Sequence, residues 1–316
     1  MHEPSEQAMR PEPPDPVGEI GPGDRGRSPG PLRLGRREFA VREPVVMAIV
    51  NRTPDSFFDK GATFALGAAV EAASRAVAAG AGIVDIGGVK AGQGAEVGVA
   101  EEIARVVDVV AAVRAAHPDV VISVDTWRAS VASACIEAGA DLINDAWEGP
   151  DPELPAVVAA AGVGLVCTHA GHLPPRTDPH RAAYADVVAD VVATLTAMAE
   201  RAVAAGVRPD AVIVDPGHDF GKNTRHSLLV TRRLDELVAT GWPVLVALSR
   251  KDFVGETLDL PVDERLTGTL ATTAVSAWLG ARIFRAHDVV ATKQCLDMVA
   301  TIKGDREPAL NRRGLA

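Results

Sequence analysis

Apolar residues along the chain fall into short dense runs separated by longer amphipathic stretches. The runs cover residues 45–51 (VVMAIVN), 82–88 (GIVDIGG), 120–126 (VVISVDT), 141–146 (DLINDA), 163–169 (VGLVCTH), 211–217 (AVIVDPG), 243–250 (PVLVALSR) and 281–289 (ARIFRAHDV). Each is short, rich in β-branched residues and nearly continuous in its apolar character, so each predicts a strand buried on both faces. Residues 68–80, 99–116, 128–139, 152–162, 181–206, 225–241, 263–280 and 289–303 carry amphipathic or Ala-rich helical patterns. Several end at Gly, which tolerates the left-handed conformation past a helix end. Eight strand–helix units in roughly 265 residues predict an α/β chain folded as a (β/α)8 TIM barrel. A doubly wound open sheet more often stops at about five to seven strands.

Composition sharpens the boundaries. Residues 1–38 are dense in Pro, Gly and charge and poor in large apolar groups, which predicts a disordered tail; residues 39–305 form the barrel and 306–316 a short C-terminal tail. A chain that is 47% hydrophobic but only 4% aromatic suits a core of many small helix-to-sheet contacts. The net charge of −10, with no long basic run, excludes nucleic acid as the expected partner. No apolar run reaches the roughly 18 residues needed to cross a bilayer, so no membrane partner is expected either. Cys135, Cys167 and Cys295 are widely spaced and odd in number, and the chain opens on acidic and proline-rich sequence; both features predict a cytoplasmic protein with ordinary thiols.

In a barrel of this type, function sits at the C-terminal ends of the strands. Those ends read Asn51, Asp85, Asp125, Asn144, His169, Asp215, then Ser249, Arg250 and Lys251, and finally Arg285, His287 and Asp288. A single Asp or Asn there is equally well explained as a helix cap. A whole series of them predicts a polar ring around one pocket. Asp125, Asn144 and Asp215 offer acceptors and an amide to a flat heterocycle, while Lys251, Arg285 and His287 gather positive charge for an anion.

The strand-end motifs resemble those of the dihydropteroate synthases. They are NRTPDSFFD (residues 51–59), DIGG (85–88), SVDT (123–126), IND (143–145), DPG with FGK (215–222), SRK (249–251) and RAHD (285–288), in the family's order. The resemblance implies a pterin-binding barrel that joins a hydroxymethyl-dihydropterin diphosphate to p-aminobenzoate, expelling diphosphate with the help of Mg²⁺. It implies pterin binding by Asp125, Asn144, Asp215 and Lys251. It further implies diphosphate binding by Asn51, Arg285 and His287, with Asn51 also a magnesium ligand. Phe220 and Asp252 would lie on the p-aminobenzoate side, Asp59, Lys251 and Arg285 would serve catalysis, and the family's habit is a homodimer through the late helices, to which residues 275–284 could contribute.

The chain departs from the family pattern in one group of places. Where the family's loop after the second strand reads Gly-Gly-Glu-Ser-Thr-Arg-Pro-Gly, residues 87–94 read GGVKAGQG. The hydroxyl, the guanidinium fork and the rigid proline are replaced by Ala91, Gly92 and Gln93. Asp252 follows the SRK lysine, His218 and Asp219 follow DPG, and HAGH (residues 169–172) replaces a strand ending in which Met and Gln follow the histidine. Groups aimed at the transition state are lost while groups that bind substrate remain. The sequence therefore favours a synthase-like protein with weak or no synthase activity over a working synthase. A third alternative is another pterin- or folate-dependent transferase, with His172, His218 and Asp219 as new acid–base groups.

Overall fold

The computed structural model describes residues 30–52, 65–90, 92, 95–177 and 182–313. An antiparallel hairpin comes first, β1 (Leu32–Leu34) paired with β2 (Arg37–Phe39). The strand–helix units follow: β3 (Val45–Asn51) and α1 (Leu66–Ala78), β4 (Ile83–Gly87) and α2 (Val99–Ala116), β5 (Val121–Asp125) and α3 (Ala129–Glu137), β6 (Leu142–Asp145) and α4 (Leu154–Ala161). Next come β7 (Gly164–Thr168) and α5 (Val187–Ala204), then β8 (Val212–Asp215) with α6 (Thr224–Arg232) and α7 (Leu234–Val238). The last units are β9 (Leu245–Ala247) with α8 (Asp252–Leu258) and α9 (Leu266–Leu279), and β10 (Ile283–Ala286) with α10 (Val289–Ile302).

Strands β3 to β10 form one parallel sheet in the order β8-β7-β6-β5-β4-β3-β10-β9. The ends of that order meet where the Val214 amide donates to Pro243 O at 3.0 Å and Val214 bridges Val244. The sheet is thus the expected (β/α)8 barrel. Outward-facing residues such as Val84, Ile122, Ile143, Val212 and Val246 pack under the helices in one large core.

Inside the barrel, the two-residue period of the strands produces two layers of opposite character. Val45, Met47, Ile83, Val121, Leu142, Val166, Ile213, Leu245 and Ile283 fill the lower part with Leu32, Leu34 and Phe39 of the hairpin. The hairpin is therefore a plug, with those last three side chains at most 1% exposed. Arg282 pins it by donating to Gly30 O (2.8 Å), Phe39 O (3.2 Å) and Ala40 O (2.9 Å). One pleat higher on the same strands, the inward positions become Asp85, Ser123, Asn144, Asp215 and Arg285.

Four elements differ from the sequence reading. The helix expected over 225–241 is two, α6 and α7, broken at Arg233. All of the hairpin except Phe39 falls in the stretch 1–38 read as tail, because Leu-Arg-Leu is too short an alternation to register as a strand. The helix expected over 181–206 begins at Val187, where extended Asp186 caps the amides of Val188 and Ala189 at 2.9 and 3.2 Å. Helix α8 was not anticipated, since seven residues containing Gly255 fall short of a readable helical period. No helix among the described residues is long and apolar enough to cross a membrane.

Candidate functional site

The upper layer is organised around Asp85, which is fully buried. Its carboxylate accepts from Ser123 Oγ at 2.6 Å, from Asn144 Nδ2 at 3.3 Å and from Arg285 Nε at 2.6 Å. Arg285 spans two acids, its Nη2 reaching Asp125 Oδ2 at 3.0 Å. Burial raises the Asp125 carboxyl above the usual carboxylate range; Arg285 opposes the shift and Asp85 adds to it. Asn51 closes this side of the mouth. Gly87 stands between Asn51 and Asp125, where an added Cβ would lie 4.0 Å from Asn51 Oδ1 and 3.5 Å from Asp125 Cβ, both ordinary contact distances.

On the opposite side, Asp215 Oδ1 accepts from the Gly217 amide at 2.8 Å. Gly217 has φ +64, and a Cβ there would fall 2.0 Å from His169 O, so the DPG turn requires glycine for both conformation and space. Lys251 donates to His218 O, and its ammonium lies 4.7 Å from the centre of the Phe220 ring. Burial lowers its basicity, while Asp219 and Asp215 restore part of it. Phe220 meets Trp147 edge-on at 4.8 Å, and Trp147 meets Trp127 at 6.5 Å, giving the mouth an aromatic wall.

Asp125, Asn144, Asp215, Lys251 and Arg285 therefore converge as the sequence suggests. Several other residues do not join them. The Arg250 guanidinium turns to Asp288 (3.0 Å) and to the carbonyls of Val262 and Asp263. The Asp252 side chain is 72% exposed and pairs with Arg265 at 2.8 Å. His287 shares a 2.9 Å hydrogen bond with Ser249 Oγ, and burial, reinforced by Arg285, lowers its pKa to about 4. Its imidazole is neutral at pH 7 and adds no positive charge of its own, contrary to the sequence reading. Asp59, Ala91, Gln93 and Gly94 lie outside the described residues.

His218 and Asp219 also lose their reading as new acid–base groups. His218 is fully buried, stacks on Phe253 at 5.4 Å and bonds Thr231 Oγ1 at 2.9 Å; burial holds its pKa well below the ordinary value. Asp219 accepts from Ser227 Oγ at 3.1 Å and from the Phe253 amide at 3.3 Å, which fixes the turn into α6 and α8.

The loop after β4 is rooted by Gly88, where a Cβ would meet Val106 Cγ1 at 2.8 Å, and by Arg105 donating to Gly88 O at 2.8 Å. Farther along, Arg176 reaches across from the loop after β7. It donates to Gly92 O at 3.1 Å and to Ala95 O at 2.8 Å. Sequence reasoning missed this clasp, as it missed Ser123 and Lys222. Ser123 was legible from the period of two along β5, where Val121, Ser123 and Asp125 share one face. Arg176 carried no local signal, because its partners are more than 80 residues away.

Lys222 is the most buried cation here, 2% exposed, with Nζ 3.1 Å from Gly217 O, 3.0 Å from Phe220 O and 2.7 Å from His169 Nδ1. Burial lowers its pKa to about 7, against the pull of Asp215. Between that value and the ordinary lysine value near 10.5 the unfolded chain holds a proton that the folded chain has released, so stability rises with pH across this window. The unfolding free energy of the protein minus that of Lys222→Met is expected to grow by about 2 kcal/mol from pH 7 to pH 9. Urea unfolding at the two pH values measures it, and a flat difference contradicts the assignment.

Comparison with known proteins follows the same geometry. A model of the family described as pterin binding enzyme matches residues 47–287. The chain is 58% identical over 284 residues to a Mycobacterium leprae protein named inactive dihydropteroate synthase 2, covering 89% of this chain and 98% of that one. It is 40% identical over 255 residues to the dihydropteroate synthase of Haemophilus influenzae, covering 80% and 92%. The fold superposes on the Xanthomonas albilineans dihydropteroate synthase solved with 4-aminobenzoic acid, with a TM-score of 0.79 and 35% identity, over 90% of this chain and all of that one.

Proposed function

Because the chain belongs to the pterin binding enzyme family, we propose that it binds a pterin, with or without its diphosphate, and has lost most or all of the power to join that pterin to p-aminobenzoate. The observation that carries this reading is the contrast between the two parts of one site. The floor keeps Asp125, Asn144 and Arg285 linked through Asp85, with Asp215 and Lys251 at the neighbouring strand ends, whereas the loop after β4 carries no arginine, threonine or proline at the positions that would close on a leaving diphosphate. Carboxylates and an amide at the floor match the N–H donors and acceptors of a pterin edge. Arg285, whose Nη1 makes no hydrogen bond among the described residues, suits an anion at the mouth.

The family implies a Mg²⁺ ion, and the residues present fit it in a limited way. Asn51 offers one hard oxygen beside Gly87, while the Asp85 carboxylate is already occupied by Ser123, Asn144 and Arg285. That donor set suits an ion whose remaining ligands come from diphosphate and water. When bound, Mg²⁺ would neutralise charge on the leaving diphosphate. Arg285 would orient the anion, Lys251 and Asp215 would hold the pterin, and the wall of Phe220 and Trp147 would exclude water from the acceptor side.

Calorimetric titration with hydroxymethyl-dihydropterin diphosphate, run beside a synthase assay with p-aminobenzoate and Mg²⁺, tests the proposal. Saturable binding with turnover at least about 10²-fold below that of the H. influenzae enzyme is the expected result. Turnover within tenfold of it overturns the impaired reading, and absence of binding overturns the pterin assignment. We further propose a homodimer through α9 and α10, where Val275, Trp278, Met298 and Ile302 are 48–61% exposed. A monomer mass by light scattering contradicts it.

A further inference from the structure

Outside the pterin floor, beyond the end of β7, one group of side chains is arranged as metal ligands. The ligand atoms of His169, His172 and Asp190 all lie within 4.8 Å of one another. His169 Nε2 is 2.7 Å from Asp190 Oδ1, His172 Nε2 is 3.7 Å from the same oxygen, and the ring centres are 6.0 Å apart. The three come from β7's last turn, the following loop and the first turn of α5, so they tie the loop to the helix.

The group is built, not fortuitous in its orientation. Glu148 accepts from the amides of Ala170 (2.7 Å) and His172 (3.1 Å), and its other oxygen lies 2.5 Å from His172 Nδ1. With Nδ1 beside the Glu148 carboxylate, Nε2 is the ring nitrogen that faces Asp190, the carboxylate–histidine arrangement that orients an imidazole for a metal. His172 holds this position with φ +58 and Glu148 with φ +66, backbone conformations that neither residue favours. On the inner side, His169 Nδ1 meets Lys222 Nζ at 2.7 Å.

We propose that His169 Nε2, His172 Nε2 and Asp190 bind one divalent ion of the zinc class, leaving a fourth position to water. Two imidazoles and a carboxylate are the donor set of such ions, whose tetrahedral ligands stand about 3.3 Å apart; the 2.7 Å His169–Asp190 pair would open slightly and the 3.7 Å His172–Asp190 pair close slightly to reach that spacing. Loading replaces the proton that His169 Nε2 shares with Asp190. That proton leaves to solvent, and the Lys222 proton passes to His169 Nδ1, so the metal-bound ring remains a neutral imidazole and Lys222 a neutral amine. Since the same loop carries Arg176, whose guanidinium holds Gly92 O and Ala95 O, the ion would also steady the segment after β4.

The test uses the full chain, stripped with chelator and titrated with Zn²⁺. The expected result is one ion per chain, an affinity at least about tenfold weaker in His172→Ala and in Asp190→Asn, and no change in His117→Ala. His172 is 62% exposed, so its alanine variant keeps its fold. Loading with Co²⁺ should give the visible absorption of a four-coordinate site in the protein and not in His172→Ala. Equal zinc affinity in the protein and in His172→Ala overturns the proposal, as does the absence of uptake at micromolar zinc.

Discussion

Arg285→Met is expected to destabilise the protein by about 3–5 kcal/mol, the largest loss from any single change at the mouth. Among the described residues, Arg285 is the one cation hydrogen-bonded to Asp85, and it holds Asp125 as well. Removing it leaves Asp85, fully buried among Ser123, Asn144 and apolar strand residues, with a charge that no solvent reaches. A buried carboxylate stripped of its charged partner costs folding free energy. Equilibrium urea unfolding reads the effect as a fall in midpoint at unchanged slope. A loss below about 1 kcal/mol overturns the reading of Arg285 and Asp85 as a buried ion pair that holds the upper layer together.

The second large effect concerns rate. Restoring the family's residues through Ala91→Thr, Gly92→Arg and Gln93→Pro together is expected to raise synthase turnover by about 10²- to 10³-fold. The arginine adds a fork of donors to the departing anion, and the proline removes conformational freedom from the chain. The backbone there is already gripped, because Arg176 binds the carbonyls of Gly92 and Ala95 and Arg105 binds that of Gly88. Steady-state rates with both substrates and Mg²⁺ decide the matter. A gain under tenfold would shift the cause of lost activity away from this loop and toward the acceptor side.

The barrel was legible because its strands are buried on both faces, so each appears as a nearly unbroken apolar run, and its polar floor was legible because strand ends are sequence landmarks. What escaped notice shares a physical cause. The β1–β2 hairpin is only three residues a side, and α8 only seven, so neither completes a pattern. Arg250 and His287 stood in register with the site, yet register fixes only the backbone; the direction of Arg250 was decided by Asp288, and the charge of His287 by desolvation. Likewise, HAGH showed that His172 was new, but only the distant Glu148 and Asp190 give it a role.

Leu32, Leu34 and Phe39 fill the lower end of the barrel with apolar side chains, so among the described residues the polar layer has no route to solvent from below. A pterin held at Asn144 and Asp215, as proposed above, would have to enter before anything that sits beside Phe220 and Trp147, and would leave only after that upper occupant had gone. An acceptor analogue at the rim would therefore prolong the residence of the molecule beneath it without touching any residue of the floor.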